Sequence, residues 1–144
     1  MTTLYLETSA VLDWLLEAPN RVNIISLYED SENIVSSNLT LVESKRALIR
    51  LEKEGGVKPS QRMRLVGILE SAAASWTLMD ISSAVRTRAG ETFPVEPVRS
   101  LDAIHLATAL EFLKVYPDLR VLSFDKRIVD NLEPLGLEVC KLEP

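Results

Sequence analysis

A single cysteine, Cys140, stands in this chain of 144 residues, which excludes an internal disulfide framework and any zinc site built on paired thiolates. Five glycines and seven prolines are too few for a linker-rich or low-complexity chain, and an apolar content of 47% is too high for a disordered one. No apolar run approaches the roughly 18 residues that span a bilayer, and the opening MTTLYLETSA has neither a basic leader nor a signal-peptide apolar stretch. The expectation is a cytoplasmic protein with no membrane partner. Also missing are a G-x-S-x-G elbow, a Walker loop and a G-x-G-x-x-G after the first strand, so acyl transfer, P-loop hydrolysis and dinucleotide binding lose their usual support. The chemistry that remains is carboxylate chemistry.

What is present suits one domain over residues 1–144, a length with enough apolar material for one core. Sixteen Lys plus Arg against 21 Asp plus Glu leave a net charge of −5, which argues against a general nucleic-acid coat. It does not exclude a metal-dependent nuclease, which concentrates carboxylates at its site while basic residues cluster elsewhere. Such a cluster runs through Lys45, Arg46, Arg50, Lys53, Lys58, Arg62 and Arg64.

Short β-branched or aromatic runs alternate with longer segments of helical spacing. Strands are predicted over Leu4–Glu7, Asn33–Ser37, Trp76–Asp80, Arg120–Phe124 and Leu137–Leu142. Helices are predicted over Ser9–Glu17, Arg21–Glu29, Leu39–Glu54, Ser60–Ala74, Ser82–Gly90, Ser100–Val115 and Lys126–Leu132. Pro59-Ser60, Gly55-Gly56 and Gly136 punctuate them. This alternation implies an α/β fold of three layers, helices on both faces of a mainly parallel sheet. Such sheets bind ligands beyond the carboxyl ends of their strands, where Glu7, Asp80 and Asp125 are expected to form an acidic crevice.

Asp102 is the most informative position. Stepping 100° per residue along Ser100–Val115, the side chains Leu101, Ile104, Leu106, Phe112 and Leu113 average to one direction, and Asp102 lies within roughly 20 to 30° of it. Ser100, Thr108, Glu111 and Lys114 point the other way. The helix dipole favours an acid in the first turn, but that does not explain why it faces inward, and a buried carboxylate needs a partner. Glu7 reads either as a site acid or as a solvated strand end, before Thr8 and Ser9, whose hydroxyls suit a helix cap. Asp125 reads either as a site acid or as the N-cap of the next helix. Thr40-Leu41-Val42-Glu43 fits a capping box, with Glu43 free to pair with Arg46. His105, the sole histidine, reads more readily as a packed, hydrogen-bonded core residue than as a ligand, and Cys140 as a small buried one.

Taken in order, Leu4-Tyr5-Leu6-Glu7-Thr8-Ser9-Ala10, Leu41-Val42-Glu43-Ser44-Lys45-Arg46-Ala47, Ser100 to Ala109, Leu122 to Arg127 and Leu135-Gly136-Leu137 give the chain a family likeness. It resembles the PIN-domain ribonucleases, and within them the toxin halves of bacterial VapBC toxin–antitoxin pairs. The resemblance covers essentially the whole chain, and Leu101-Asp102-Ala103-Ile104-His105-Leu106-Ala107-Thr108-Ala109 is its most specific motif.

The resemblance implies a metal-dependent RNA endonuclease in which Glu7, Glu43, Asp102 and Asp125 act in catalysis. Glu7, Asp102 and Asp125 would be ligands to Mg²⁺ or Mn²⁺, hard ions suited to oxygen donors. A metal-activated water would leave a 3′-hydroxyl and a 5′-phosphate. Ser9 and Ser123 would hold that water or a ligand carboxylate. Lys45, Arg46, Arg50, Lys126 and Arg127 would contact RNA, a cognate antitoxin would restrain the toxin, and the toxin would pair as a homodimer. One departure is Glu7, where most members have Asp, an added reach of roughly 1.5 Å. Another is Pro134, expected to shorten the last helix. The departure at Glu7 keeps a second reading open, a degenerate PIN domain that binds RNA or protein without cutting. A third is a phosphoacceptor signalling domain with Asp80 phosphorylated and Glu7 as a metal ligand.

Overall fold

The computed structural model describes residues 2–142. Five strands, β1 (Thr3–Leu6), β2 (Asn33–Ser37), β3 (Thr77–Met79), β4 (Leu119–Leu122) and β5 (Glu138–Val139), form one sheet in the order β3-β2-β1-β4-β5. Every pairing is parallel, so the expected mainly parallel sheet is wholly parallel. Seven helices connect the strands: α1 (Thr8–Leu15), α2 (Arg21–Asp30), α3 (Asn38–Lys53), α4 (Pro59–Ala73), α5 (Ser83–Ala89), α6 (Ser100–Val115) and α7 (Lys126–Leu132).

β1 is central and buried along its whole length, as a continuous apolar run in a parallel sheet should be. Side chains alternate across it. Leu4 and Leu6, with Leu122, join one core layer containing Val11, Leu48 and Leu69 of α1, α3 and α4. Tyr5 joins the other, with Val121 and with Leu106, Phe112 and Ile128 of α6 and α7. Each large apolar side chain sequestered this way contributes about 1.5–3 kcal/mol, and the two layers clamp the sheet between helices, the three-layer arrangement.

The strand order reverses direction at β1, which continues to β2 and β3 on one side and meets β4 on the other. That reversal opens a crevice at the carboxyl ends of β1 and β4, the usual ligand position in such sheets. Several expectations are corrected here. β1 ends at Leu6, so Glu7 stands one residue past the strand in the N-cap position of α1. β3 ends at Met79, and Asp80 is exposed and hydrogen-bonded by the Asn38 amide. Because β3 lies at the sheet edge, two strands from β1 and three from β4, Asp80 does not line the crevice, which removes the geometry that a phosphoacceptor reading needs. β5 covers only two of the residues expected in the last strand, since an edge strand pairs on one side alone.

α6 is buried around most of its circumference, with Thr108 inaccessible and Leu101 47% exposed, against the expected two-sided pattern. α5 covers the face opposite the sheet, and the Thr108 hydroxyl is satisfied internally by the Ile104 carbonyl at 2.7 Å. α7 stops at Leu132, followed by a 3-10 turn over Glu133–Leu135 that carries Pro134, as expected from the proline. Gly136, at φ 81°, adopts the left-handed conformation that ends this turn.

Candidate active site

Four acids from four different elements line one cleft of about 510 Å³ at the β1/β4 crevice: Glu7, Glu43, Asp102 and Asp125. Each arrives for a local reason. Glu7 is the residue at which the chain leaves β1 and turns into α1, and its amide still bonds the Leu122 carbonyl of β4 at 3.1 Å. Asp102 is in the first turn of α6 and only 5% exposed, so the inward direction read from the sequence is observed. Asp125 caps α7, its Oδ1 accepting from the Arg127 amide at 3.0 Å. Capping and cleft lining coexist in that residue.

Glu43 corrects an expectation. The N-cap of α3 is Ser37, whose hydroxyl accepts from the Leu39 amide, so Glu43 sits in the second turn and takes no part in a capping box. Its partners are Thr8 and His105 rather than Arg46. Its Oε1 accepts from the Thr8 hydroxyl at 2.7 Å and meets His105 Nε2 at 2.5 Å. Burial pushes the Glu43 carboxyl up, but the hydrogen bonds from His105 and Thr8 and the positive charge of Arg99 outweigh it and hold its pKa below the ordinary value.

Thr8 and Ser9 were expected to cap α1, and neither does. Their hydroxyls are drawn to carboxylates, since Ser9 Oγ donates to Glu7 Oε1 at 2.5 Å while accepting from the Phe124 amide at 2.8 Å. Ser123 Oγ donates to the same oxygen at 2.6 Å and accepts from the Asp125 amide at 3.1 Å. Both serines donate to Oε1 of Glu7, and neither donates to Oε2.

Besides Thr8, three residues that the sequence reading did not place at the site belong to it. His105, 2% exposed, joins Glu43 to the buried Tyr5 hydroxyl, which lies 2.9 Å from Nδ1. The Glu43 carboxylate can only accept, so Nε2 donates to it, and in the neutral ring Nδ1 is then the acceptor for the Tyr5 hydroxyl. This makes His105 the expected core histidine and also a support for a cleft acid. Burial, with the Glu7 and Glu43 charges adding to it, pushes the Tyr5 hydroxyl well above its usual pKa and keeps it a donor. Arg99 lies over the cleft, its Nε 3.2 Å from Asp102 Oδ2 and its Nη2 3.5 Å from Asp125 Oδ2. The sequence did carry a signal for it, a cation at the start of a helix, where the macrodipole disfavours positive charge.

The chemistry of the donor set, four carboxylates in one cleft, fits a hard divalent cation. Among the described residues, no three His, Cys, Asp or Glu side chains are grouped so as to hold one; Arg99 bridges two of the acids.

A family model for the PIN domain matches residues 4–132. The chain belongs to the PIN-domain family. Within it, the chain is 30% identical over 138 residues to "Ribonuclease VapC35" of Mycobacterium tuberculosis, with 94% of each covered. Among solved folds, this chain matches a structure of FitAB bound to a DNA fragment with a TM-score of 0.69, at 13% identity and 98% coverage of both chains. A toxin–antitoxin complex from Klebsiella pneumoniae gives 0.58 at 17% identity, covering 85% of this chain and 86% of that one. In this PIN domain the cleft acids therefore stand on the family's fold.

The expected RNA contacts are placed less uniformly. Lys45 pairs with Glu70 at 2.7 Å and Arg62 with Glu52 at 2.9 Å, so part of the basic cluster is neutralised locally. Arg46 and Arg50 are exposed and follow Glu43 on the same side of α3. Lys126 pairs with Asp130 at 2.5 Å, and Arg127 is exposed beside Asp125.

Proposed function

We propose that residues 1–144 act as one PIN domain that is a divalent-metal-dependent RNA endonuclease, the toxin of a toxin–antitoxin pair working in the cytoplasm. The observation that carries this reading is the convergence of Glu7, Glu43, Asp102 and Asp125, from four separate elements, on one cleft at the sheet's switch point. Four acids gathered in one cleft repel one another, a cost that a bound cation would offset.

In this reading Glu7, Asp102 and Asp125 hold Mg²⁺ or Mn²⁺, and Glu43 orients the attacking water. A bound divalent ion would polarise the scissile phosphate and lower the pKa of a water molecule. Ser9 and Ser123 fix Glu7 through Oε1 and tie it to the Asp125 backbone, so the acids of β1 and β4 move as a unit. Thr8 and His105 fix Glu43. Arg46, Arg50, Lys126 and Arg127 carry the RNA backbone toward the cleft, with Lys45 contributing when it leaves Glu70. RNA hydrolysis is favoured by the similarity to a named ribonuclease over nearly the whole chain.

An antitoxin partner, in line with a toxin–antitoxin complex among the structural neighbours, and a homodimer complete the reading. An apolar cavity of about 300 Å³, lined by Trp14, Ile25, Tyr28 and Ala72 among others, offers such a partner its side chains a place on the face away from α6. A second reading, a PIN domain that binds without cutting, draws on Glu7 and on the absence of a preformed ligand group among the described residues.

The test is cleavage of structured RNA by the purified, antitoxin-free protein with Mg²⁺ or Mn²⁺, run beside EDTA and Asp102→Ala controls. Discrete products that both controls abolish are expected. Intact RNA with either metal, together with no metal binding, would favour the non-cutting reading.

A further inference from the structure

Arg99 has no part in the reaction as set out above, yet it touches two of the four acids. Among the described residues it is the one basic side chain lining the cleft. Its position is unfavourable on local grounds, because it stands at the N-cap of α6 without a side-chain capping bond, where the helix dipole repels a cation.

The segment that presents it is built rather than loose. The Glu96 carboxylate accepts from the Phe93 amide at 2.9 Å and the Val98 amide at 2.7 Å. Asn131 of α7, fully buried, accepts from the Val95 amide at 2.8 Å and donates to the Val95 carbonyl at 2.9 Å. The strap leading to Arg99 is thus fastened to the same helix that Asp125 caps, which sets Arg99 in register with Asp125 as well as with Asp102 one turn into α6.

The geometry points to Arg99 as a built-in counter-cation of the metal site: its guanidinium engages Oδ2 of both Asp102 and Asp125, the oxygens a divalent ion needs, so metal loading must expel it. The inference rests on the metal-dependent reading of this cleft. A buried carboxylate such as Asp102 needs a partner, and Arg99 supplies one that is itself 65% exposed. An ion pair that open to solvent is weak, weak enough for a dication to displace. The binding constant for metal is therefore set partly by the arginine, and a site lacking it would load at lower metal concentration.

The experiment is a Mn²⁺ titration by calorimetry of the wild-type protein, Arg99→Gln and Arg99→Lys at one ionic strength. A second measurement follows the Arg99 Nε–H resonance during Mg²⁺ addition. Arg99→Gln is expected to bind Mn²⁺ about two- to fivefold more tightly, the range an exposed ion pair can contribute. Arg99→Lys, which keeps the charge but cannot fork across two carboxylates, is expected to fall between the two. The Nε–H resonance is expected to shift as the site fills. Affinity in Arg99→Gln no higher than wild type, an Arg99→Lys affinity equal to wild type, or a resonance unmoved while the ion binds would each overturn the proposal and leave the nuclease reading standing. Absence of metal binding in all three folded proteins would overturn both.

Discussion

Glu43 Oε1 and His105 Nε2 meet at 2.5 Å although 62 positions separate them in the chain. The contact joins α3 to α6 across the carboxyl end of the sheet, so an acid that local sequence would assign to a helix surface becomes a wall of the cleft. Behind it, Tyr5 fixes the histidine ring. Tyr5→Phe leaves Nδ1 buried without its partner, and the expected loss is about 1–3 kcal/mol of stability, read as a lowered urea midpoint. A midpoint unchanged from wild type would mean that the ring does not depend on this bond.

The lowered pKa of Glu43 makes stability depend on pH with a definite sign. Folding favours its ionised form, so its contribution is complete above the unfolded value of about 4.3 and is lost as pH falls through the folded one. Urea unfolding of wild type and Glu43→Gln from pH 7 to 3 should show a gap between the curves that narrows below about pH 4. A gap that stays constant over that range contradicts the assignment.

Asp102→Asn removes a negative charge from a buried position without changing its size. Mn²⁺ affinity is expected to fall by at least about tenfold, the loss that even the outer partners of a metal produce, while thermal unfolding shows a folded domain. Unchanged affinity would remove Asp102 from the ligand set.

Ser9→Ala and Ser123→Ala each delete one of the two hydroxyls on Glu7 Oε1. Cleavage or metal affinity should drop about 10- to 100-fold for either, with stability costs of about 0.5–1.5 kcal/mol. The double variant should lose less than the product of the two, since both act through one oxygen. Multiplicative losses would show that the serines act separately.

Arg46→Ala and Arg50→Ala should each weaken binding to single-stranded RNA and reduce the salt dependence by about 0.7 in log–log slope. Lys45→Ala should do less, because Glu70 already neutralises it. Equal effects at all three positions would mean that the Lys45–Glu70 pair opens on RNA.

The order of strands and helices, the parallel sheet and the crevice at its carboxyl edge were legible in the sequence, because period-two and period-3.6 patterns are local and each element here carries its own start and stop residues. Asp102 was legible for the same reason, since its angle on α6 follows from counting residues along one helix. Asp80 was misplaced and Glu43 given a surface role because a residue's distance from a strand end does not say where that strand lies in the sheet, nor which helix faces it. Only the strand order β3-β2-β1-β4-β5 removed Asp80 from the crevice.

Sequence by itself determined which side chains were available and which face of each element they share. The tertiary structure alone decided their partners: two serines on one oxygen of Glu7, a histidine behind Glu43, and Arg99 spanning Asp102 and Asp125. Helical and strand periodicity is written into neighbouring residues by backbone geometry. Contacts across 62 or 116 positions, such as those of Glu43 with His105 and of Glu7 with Ser123, depend on how whole layers pack.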